Sequence, residues 1–327
     1  MGKIYIHTSL LSFLMITLIG CSSCGSNSNS DNTPIVPPPP VTSDPDEEST
    51  NDAVLLTDFS DEFDSTQINT TIWDVNTYDW GTWSWRDENA YIEDGDFKIR
   101  MKYDPHTRNN TQLYFTSGII RTNKTITYGY FEASIKGCDL ERGACPAFWL
   151  FSDSYDPNNL GTFNGAPVTY SEIDIVELQQ GNWSDEYKGP TPINQIDFNV
   201  NLRIIDKNDE NNNGDTTEEI WIRPDIYTEL HGHWDAPWDP RDQYHTYGTE
   251  VTPESIIWYV DRQEVARQDN LGCHIPMKLT LSMGLRGPYV VYEDGTPIAV
   301  DPDVVNEEKF STVMSVAWVR SWDKRPF

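Results

Sequence analysis

The chain has 327 residues and a formal net charge of −29, from 23 basic and 52 acidic side chains. That balance excludes nucleic acid as a partner, because phosphate binding needs a basic face. It also means that an anionic ligand would have to find Arg or Lys concentrated at its own site. Twelve Trp and sixteen Tyr are many for this length; some belong to a core, and aromatic faces also serve carbohydrate clefts as stacking platforms for sugar rings.

Residues 1–20 read as a signal peptide. Lys3 supplies the basic end, and the apolar run from Leu10 to Ile19 is too short for a comfortable membrane span. It ends in Leu18-Ile19-Gly20-Cys21, which resembles the bacterial lipobox, so Cys21 is expected to become the lipidated first residue. An ordinary secretory signal with an incidental Cys is the plainer alternative. Lipidation implies an exported protein anchored to a bacterial membrane, at the outer membrane or cell surface, without a spanning helix. Residues 21–52 are rich in Ser, Asn, Pro and acids, including Pro37-Pro38-Pro39-Pro40. They have too little apolar content to fold and are expected to act as an extended, disordered linker.

Residues 53–327 read as one all-β domain. Ala90-Tyr91-Ile92 and Phe97 to Met101 flank a turn at Glu93-Asp94-Gly95-Asp96. Further strands are expected over 115–120, 128–136, 147–151, 278–285 and 313–322, with a hairpin of 255–260 and 263–266 joined by Asp261-Arg262. No long segment has helical period. Many short strands with Gly, Pro and Asp turns indicate a β-sandwich or jelly roll. Two stretches break the rhythm. Residues 206–219 are polar and Asn-rich; they leave room for a structural calcium ion but lack the EF-hand order, so a solvated loop is expected. Residues 287–309 are a long insertion of the kind that walls a cleft or forms a lid. Cys138, Cys145 and Cys273 are an odd set, and Cys138 and Cys145 flank a short loop; the pairing stays open. No Cys/His spacing resembles a zinc site, and the pair His231 and His233 lacks further ligands.

The informative stretch is Tyr170-Ser171-Glu172-Ile173-Asp174-Ile175-Val176-Glu177-Leu178. In a regular strand Glu172 and Asp174 share a face, whereas Glu177, three residues on, points the other way. A β-bulge at Ile175-Val176 would return Glu177 to that face. Acids so aligned repel one another unless their pKa values separate. One ionised and one protonated carboxyl is the requirement of glycoside hydrolysis. A solvent-facing strand with scattered acids explains the first two carboxylates but not the apolar residues packed between them.

The same stretch resembles the bulged active-site motif of glycoside hydrolase family 16. The likeness runs in consistent order from Asp61-Glu62-Phe63-Asp64 through Pro146-Ala147-Phe148-Trp149-Leu150 to Val319-Arg320-Ser321-Trp322. Within the family, Gly143-Ala144-Cys145-Pro146, Trp221-Ile222-Arg223-Pro224 and Leu285-Arg286-Gly287-Pro288 are similar to the κ-carrageenase and furcellaranase group. The resemblance implies a jelly roll of two antiparallel sheets with a concave cleft. It also implies endo-acting, retaining cleavage of β-1,4 links in a sulfated red-algal galactan of the κ-carrageenan or furcellaran (hybrid β/κ) type. It makes Glu172 the nucleophile, Asp174 its assistant and Glu177 the acid/base. A retaining reaction sets the two catalytic carboxyls roughly 5–5.5 Å apart, with Glu172 ionised and Glu177 protonated before the first step. Trp149 is expected to stack on a sugar, Arg223 and Arg286 to meet sulfate through the guanidinium fork, and Arg86 and Asn89 to line the cleft. Asn199 falls where such carrageenases tend to carry a His, which bears on the sulfation pattern read there. No cofactor is required, and a monomer is expected. The alternatives are an agarase, porphyranase or laminarinase on the same fold, or a non-catalytic surface glycan-binding lipoprotein.

Overall fold

The computed structural model describes residues 52–75, 78–152, 161–181, 183–184, 188–205, 219–223 and 231–327. The leader, Cys21, the linker up to residue 51 and nearly all of the 206–219 stretch lie outside these residues, including the oxygen-rich segment considered for calcium. Two large sheets form a jelly-roll sandwich. The first runs, in spatial order, Trp73–Asp74, Ile119–Thr122, Lys278–Leu285, Ala144–Phe151, Ala166–Leu178, Gln195–Ile205 and Glu219–Ile222, with His231–Asp235 also pairing with Gln195–Ile205. The second runs Gln263–Asp269, Ser255–Val260, His245–Val251, Gly129–Lys136, Ser311–Trp322, Asp96–Arg108, Thr111–Ser117 and Ser84–Trp85. Pairing is antiparallel except at one edge, where Ser84–Trp85 lies parallel to Thr111–Ser117.

Period-2 alternation builds the core. In Gln195–Ile205, residues Ile196, Phe198, Val200, Leu202 and Ile204 face inward and are buried. Leu279, Leu281, Met283 and Leu285 do the same from Lys278–Leu285, and Phe148 and Leu150 from Ala144–Phe151. The intervening residues of these strands stand on the opposite face, and that face carries the polar side chains described below.

The turns follow local chemistry. Asp261 and Arg262 both have positive φ, +49° and +61°, as does the Asp94-Gly95 pair at +56° and +82°, which is the geometry of a two-residue hairpin loop. One expected strand is divided. Residues 115–120 split at Gly118 into Thr111–Ser117 of one sheet and Ile119–Thr122 of the other. A Cβ at Gly118 would lie 2.4 Å from the Asn89 carbonyl oxygen, so the chain can change sheets there only with glycine. The 287–309 insertion is not a bare loop. It holds a small hairpin, Val290–Glu293 with Thr296–Ala299, and a short helix, Pro302–Val305, capped by the Asp301 carboxylate on the Asp303 N–H.

Candidate active site

Ala166–Leu178 sits in the middle of the first sheet, between Ala144–Phe151 and Gln195–Ile205. Its register slips between Asp174 and Glu177 against one neighbour and between Asp174 and Val176 against the other. This is the expected bulge. It sends Ile173, Ile175, Val176 and Leu178 into the core and leaves Glu172, Asp174 and Glu177 together on the wall of a cavity of about 440 Å³. The buried indole Nε1 of Trp258, from the opposite sheet, donates to the main-chain carbonyl of Asp174 at 2.9 Å. A bulge disrupts the ladder locally, and this hydrogen bond satisfies a carbonyl at the slip. Trp258→Phe should therefore cost about 1–3 kcal/mol of stability, read as a lower denaturation midpoint at unchanged slope.

Glu172 accepts from Asn201 Nδ2 at 2.6 Å and from the Tyr170 hydroxyl two residues earlier. Burial nevertheless pushes its pKa up, with the Glu177 charge adding to the shift. Asp174 is only 7% exposed, and burial together with the charges of Glu177 and Glu172 drives it well above the usual carboxylate range. Of the three acids, Asp174 is the one in which burial and two neighbouring carboxyls act together against the charged form. Glu177, 8% exposed, is surrounded by donors. Its Oε2 accepts from Asn199 Nδ2 at 2.8 Å and Gln180 Nε2 at 3.2 Å. Its Oε1 accepts from the Cys145 thiol at 3.4 Å and from Arg286 Nη2, with which it forms an ion pair. These donors stand opposite the two carboxyls, Glu172 and Asp174, that share the cavity wall with Glu177.

The neighbouring strand adds a further acid. Asp197 accepts from Gln195 Nε2 at 2.8 Å and Gln180 Nε2 at 3.0 Å, yet burial raises its pKa to about 6. A raised folded-state pKa favours the fold below the unfolded value near 3.9 and loses that contribution as pH rises through about 6. Asp197→Asn should flatten the fall in stability across that window, a change of about 2–3 kcal/mol, measurable by urea titrations at pH 4 and pH 8.

Of the other expected site residues, Trp149, Asn199, Arg223 and Arg286 line the cavity. Trp149 stacks on Phe151 at 4.7 Å and is fixed by its indole donating to Ser282 Oγ at 3.0 Å. Arg223 lies over the Trp221 ring at 4.1 Å, and among the described residues its guanidinium has no hydrogen-bond or ion-pair partner. Trp80, Trp83 and Trp85 also reach the wall, Trp80 edge-on to Trp149 at 6.5 Å. Asn89 does not line the cleft. It is 0% exposed beneath the Gly118 crossing, donating to Thr116 Oγ1 at 3.2 Å and accepting from Arg100 Nε at 3.1 Å. Nor does Arg86 line it; this residue donates to the Trp85 carbonyl at 2.7 Å and faces Asp79 at 3.9 Å. Cys138, Cys145 and Cys273 are buried free thiols, so the short-loop disulfide is not formed. Tyr170, Cys145, Gln180 and Asn201 escaped the sequence reading. Asn201 alone left a signal, two residues after Asn199 on an alternating strand.

The model of the family described as beta-porphyranase A-D, GH16 domain, matches residues 54–324. The kappa-carrageenase of Pseudoalteromonas carrageenovora is 35% identical over 285 residues, covering 83% of this chain and 65% of that protein's own length. A kappa-carrageenase crystal structure from Zobellia galactanivorans superposes with a TM-score of 0.73 at 35% identity, covering 87% of this chain and 98% of the other. The Pseudoalteromonas carrageenovora enzyme in complex with an oligotetrasaccharide of kappa-carrageenan gives 0.70 at 33% identity, covering 85% and 97%. The strand order, the bulged acid strand and these matches lead to one assignment: the chain belongs to glycoside hydrolase family 16.

Proposed function

We propose that the protein is an endo-acting, retaining glycosidase that cuts β-1,4 links in a sulfated red-algal galactan of the κ-carrageenan type, with furcellaran and hybrid β/κ-carrageenan in its range. The observation that carries this reading is the meeting of three aligned carboxyls with two arginines in one cavity of a protein whose net charge is −29. A surface so acidic repels a polyanion, so the positive charge at the acids marks where sulfate is accepted. Arg223, without a hydrogen-bond or ion-pair partner among the described residues, presents a fork suited to sulfate oxygens. The similarity to kappa-carrageenases supports the same substrate class.

In this reading Glu172 attacks the anomeric carbon while Glu177 delivers a proton to the leaving glycosidic oxygen. Glu177 then takes a proton from water, which releases the glycosyl-enzyme. Tyr170 and Asn201 hold the nucleophile's carboxylate in one rotamer. Burial and its two neighbours disfavour a charge on Asp174, which limits the repulsion that three charges on one strand face would create. Trp149 offers its face to a sugar beside the cleavage point.

The test is a polymer panel: κ-carrageenan, furcellaran, porphyran, agarose and laminarin, with reducing ends counted and the first-formed anomer read by NMR. Products from κ-carrageenan or furcellaran with a β anomer first are expected. Activity confined to agarose or laminarin would sink the sulfate reading. Porphyran is the second reading, favoured by the beta-porphyranase family model, and preferential cleavage of it would replace the first. Binding to κ-carrageenan without turnover would make the protein a glycan-binding module.

A further inference from the structure

A fourth carboxyl stands beside the acid/base. Glu177 and Asp197 are register partners on adjacent antiparallel strands, so their side chains leave the sheet on one face and directly opposite. Two acids so placed oppose each other, and burying a carboxyl costs stability unless it is hydrogen-bonded. Of the two, Glu177 lines the cavity. Asp197 is 5% exposed, is absent from the cavity wall and takes no step in the reaction given above.

One amide joins the pair. Gln180 Nε2 donates to Glu177 Oε2 at 3.2 Å and to Asp197 Oδ2 at 3.0 Å, while Gln180 Oε1 accepts from Arg286 Nε at 3.3 Å. Gln180 is buried and follows the acid strand in a turn whose flanking residues, Gln179 and Gly181, have positive φ of +55° and +62°. The Gln179 side chain ties that turn to the main chain of Cys138, accepting from its N–H at 2.9 Å and donating to its carbonyl at 2.8 Å. The turn being held, what remains to be set is which way the Gln180 amide faces. Arg286 Nε can only donate, so it takes the amide oxygen. Asp197 takes one amide hydrogen, and the other is left for Glu177. A flipped amide would turn its oxygen to the two carboxyls and its N–H groups to the guanidinium, and all three bonds would be lost. Asn199 Nδ2 bonds the same Glu177 Oε2 at 2.8 Å, so two amides from different elements hold the plane of that carboxyl. Such holding matters to a general acid, because a misplacement of about 1 Å costs on the order of 10²-fold in rate.

We propose that Asp197 is a positioning residue for the acid/base: by accepting one N–H of Gln180 it keys that amide so that the other N–H holds Glu177 Oε2, which aims the Glu177 carboxyl at the glycosidic oxygen. Acceptance of a hydrogen bond, rather than negative charge, is what the position supplies. The role rests on Glu177 being the acid/base, as in the reading above.

The kinetic test separates positioning from a merely structural role. Asp197→Leu removes the acceptor at similar size, Asp197→Asn keeps an acceptor without the charge, and Gln180→Met removes the amide. Each is assayed in the full chain on κ-carrageenan, whose leaving group needs a proton, and on a dinitrophenyl β-glycoside of a κ-carrageenan tetrasaccharide, whose leaving group does not. Asp197→Leu and Gln180→Met should lower kcat on κ-carrageenan by about 10²-fold and leave kcat/KM on the aryl glycoside unchanged. They should also release dinitrophenolate in a burst, because water attack on the glycosyl-enzyme still needs Glu177. Asp197→Asn should regain most of the loss. Equal losses on both substrates in Gln180→Met overturn the proposal, and this variant decides the matter if Asp197→Leu fails to fold. A loss in Asp197→Asn as deep as in Asp197→Leu overturns it in favour of charge. Glu177→Ala is run alongside, and equal losses there overturn the acid/base assignment itself. A second arm needs no substrate. The Gln180 side-chain ¹⁵N amide, assigned by its disappearance in Gln180→Met, should exchange its protons with water about tenfold faster in Asp197→Leu, the scale of one lost hydrogen bond, and at the wild-type rate in Asp197→Asn. An unchanged rate in Asp197→Leu overturns the keyed amide whichever polymer the enzyme cuts. A wild-type protein inactive on both substrates overturns the κ-carrageenan reading, and the amide arm then judges the network by itself.

Discussion

Glu172→Gln should lower kcat on the preferred galactan by a factor on the order of 10⁴–10⁶, the scale seen when a nucleophile that acts as part of a unit is removed. Binding should persist. Gln keeps the size of the side chain, and its amide oxygen still accepts from one of the two groups that hold Glu172, Asn201 on Oε1 or Tyr170 on Oε2. Steady-state kinetics on one oligosaccharide, paired with calorimetric binding, checks both halves. A variant that keeps even a tenth of the rate would refute Glu172 as nucleophile. A variant that loses binding as well would mean that the carboxylate serves the fold of the bulged strand. The smaller Glu172→Ala variant adds a stereochemical reading: with azide present, any product formed should carry the inverted configuration, because the anion occupies the emptied nucleophile site.

Glu177→Ala should cost about 10²–10⁴ in kcat on a polysaccharide, the usual contribution of a positioned general acid. Added azide should recover part of the rate and give a β-configured azide product. The space for the anion lies beside Arg286, which loses its carboxylate partner in this variant. An α-configured azide from Glu177→Ala would exchange the roles of the two glutamates. Removing one member of a partly buried ion pair also leaves the other uncompensated, so Glu177→Gln belongs beside it as the variant that keeps an acceptor for Arg286.

The cysteines and the edge residues show where local reading fails. Cys138 and Cys145 are seven apart and look like a short loop's disulfide, but Cys145 is drawn into a strand whose register with Lys278–Leu285 places its sulfur at Glu177. Asn89 and Arg86 fall in a Trp-rich stretch that does reach the cleft, yet only the tryptophans face it. The Gly118 crossing buries Asn89 from the other side. The 287–309 insertion lacks long apolar periodicity and reads as a loop. Its hairpin and helix become visible once Tyr289 packs into the core against Phe115 and Phe310.

The bulged acid strand was legible because its signal is local. Side chains alternate along a strand, so three carboxyls at spacings of two and three, with apolar residues between, require one extra residue to share a face. The hairpin turns were legible for the same reason. The electrostatic surrounding of the acids was not. It depends on Asn199 and Asn201 from one neighbouring strand, Cys145 from the other, and Arg286 from beyond a third, each placed by register between distant segments. The sequence alone determined which three acids stand together. Only the tertiary structure decided that burial raises the pKa of the middle one and that the third is bonded to an arginine. Burial and cross-strand hydrogen bonds are properties of the assembled sheet.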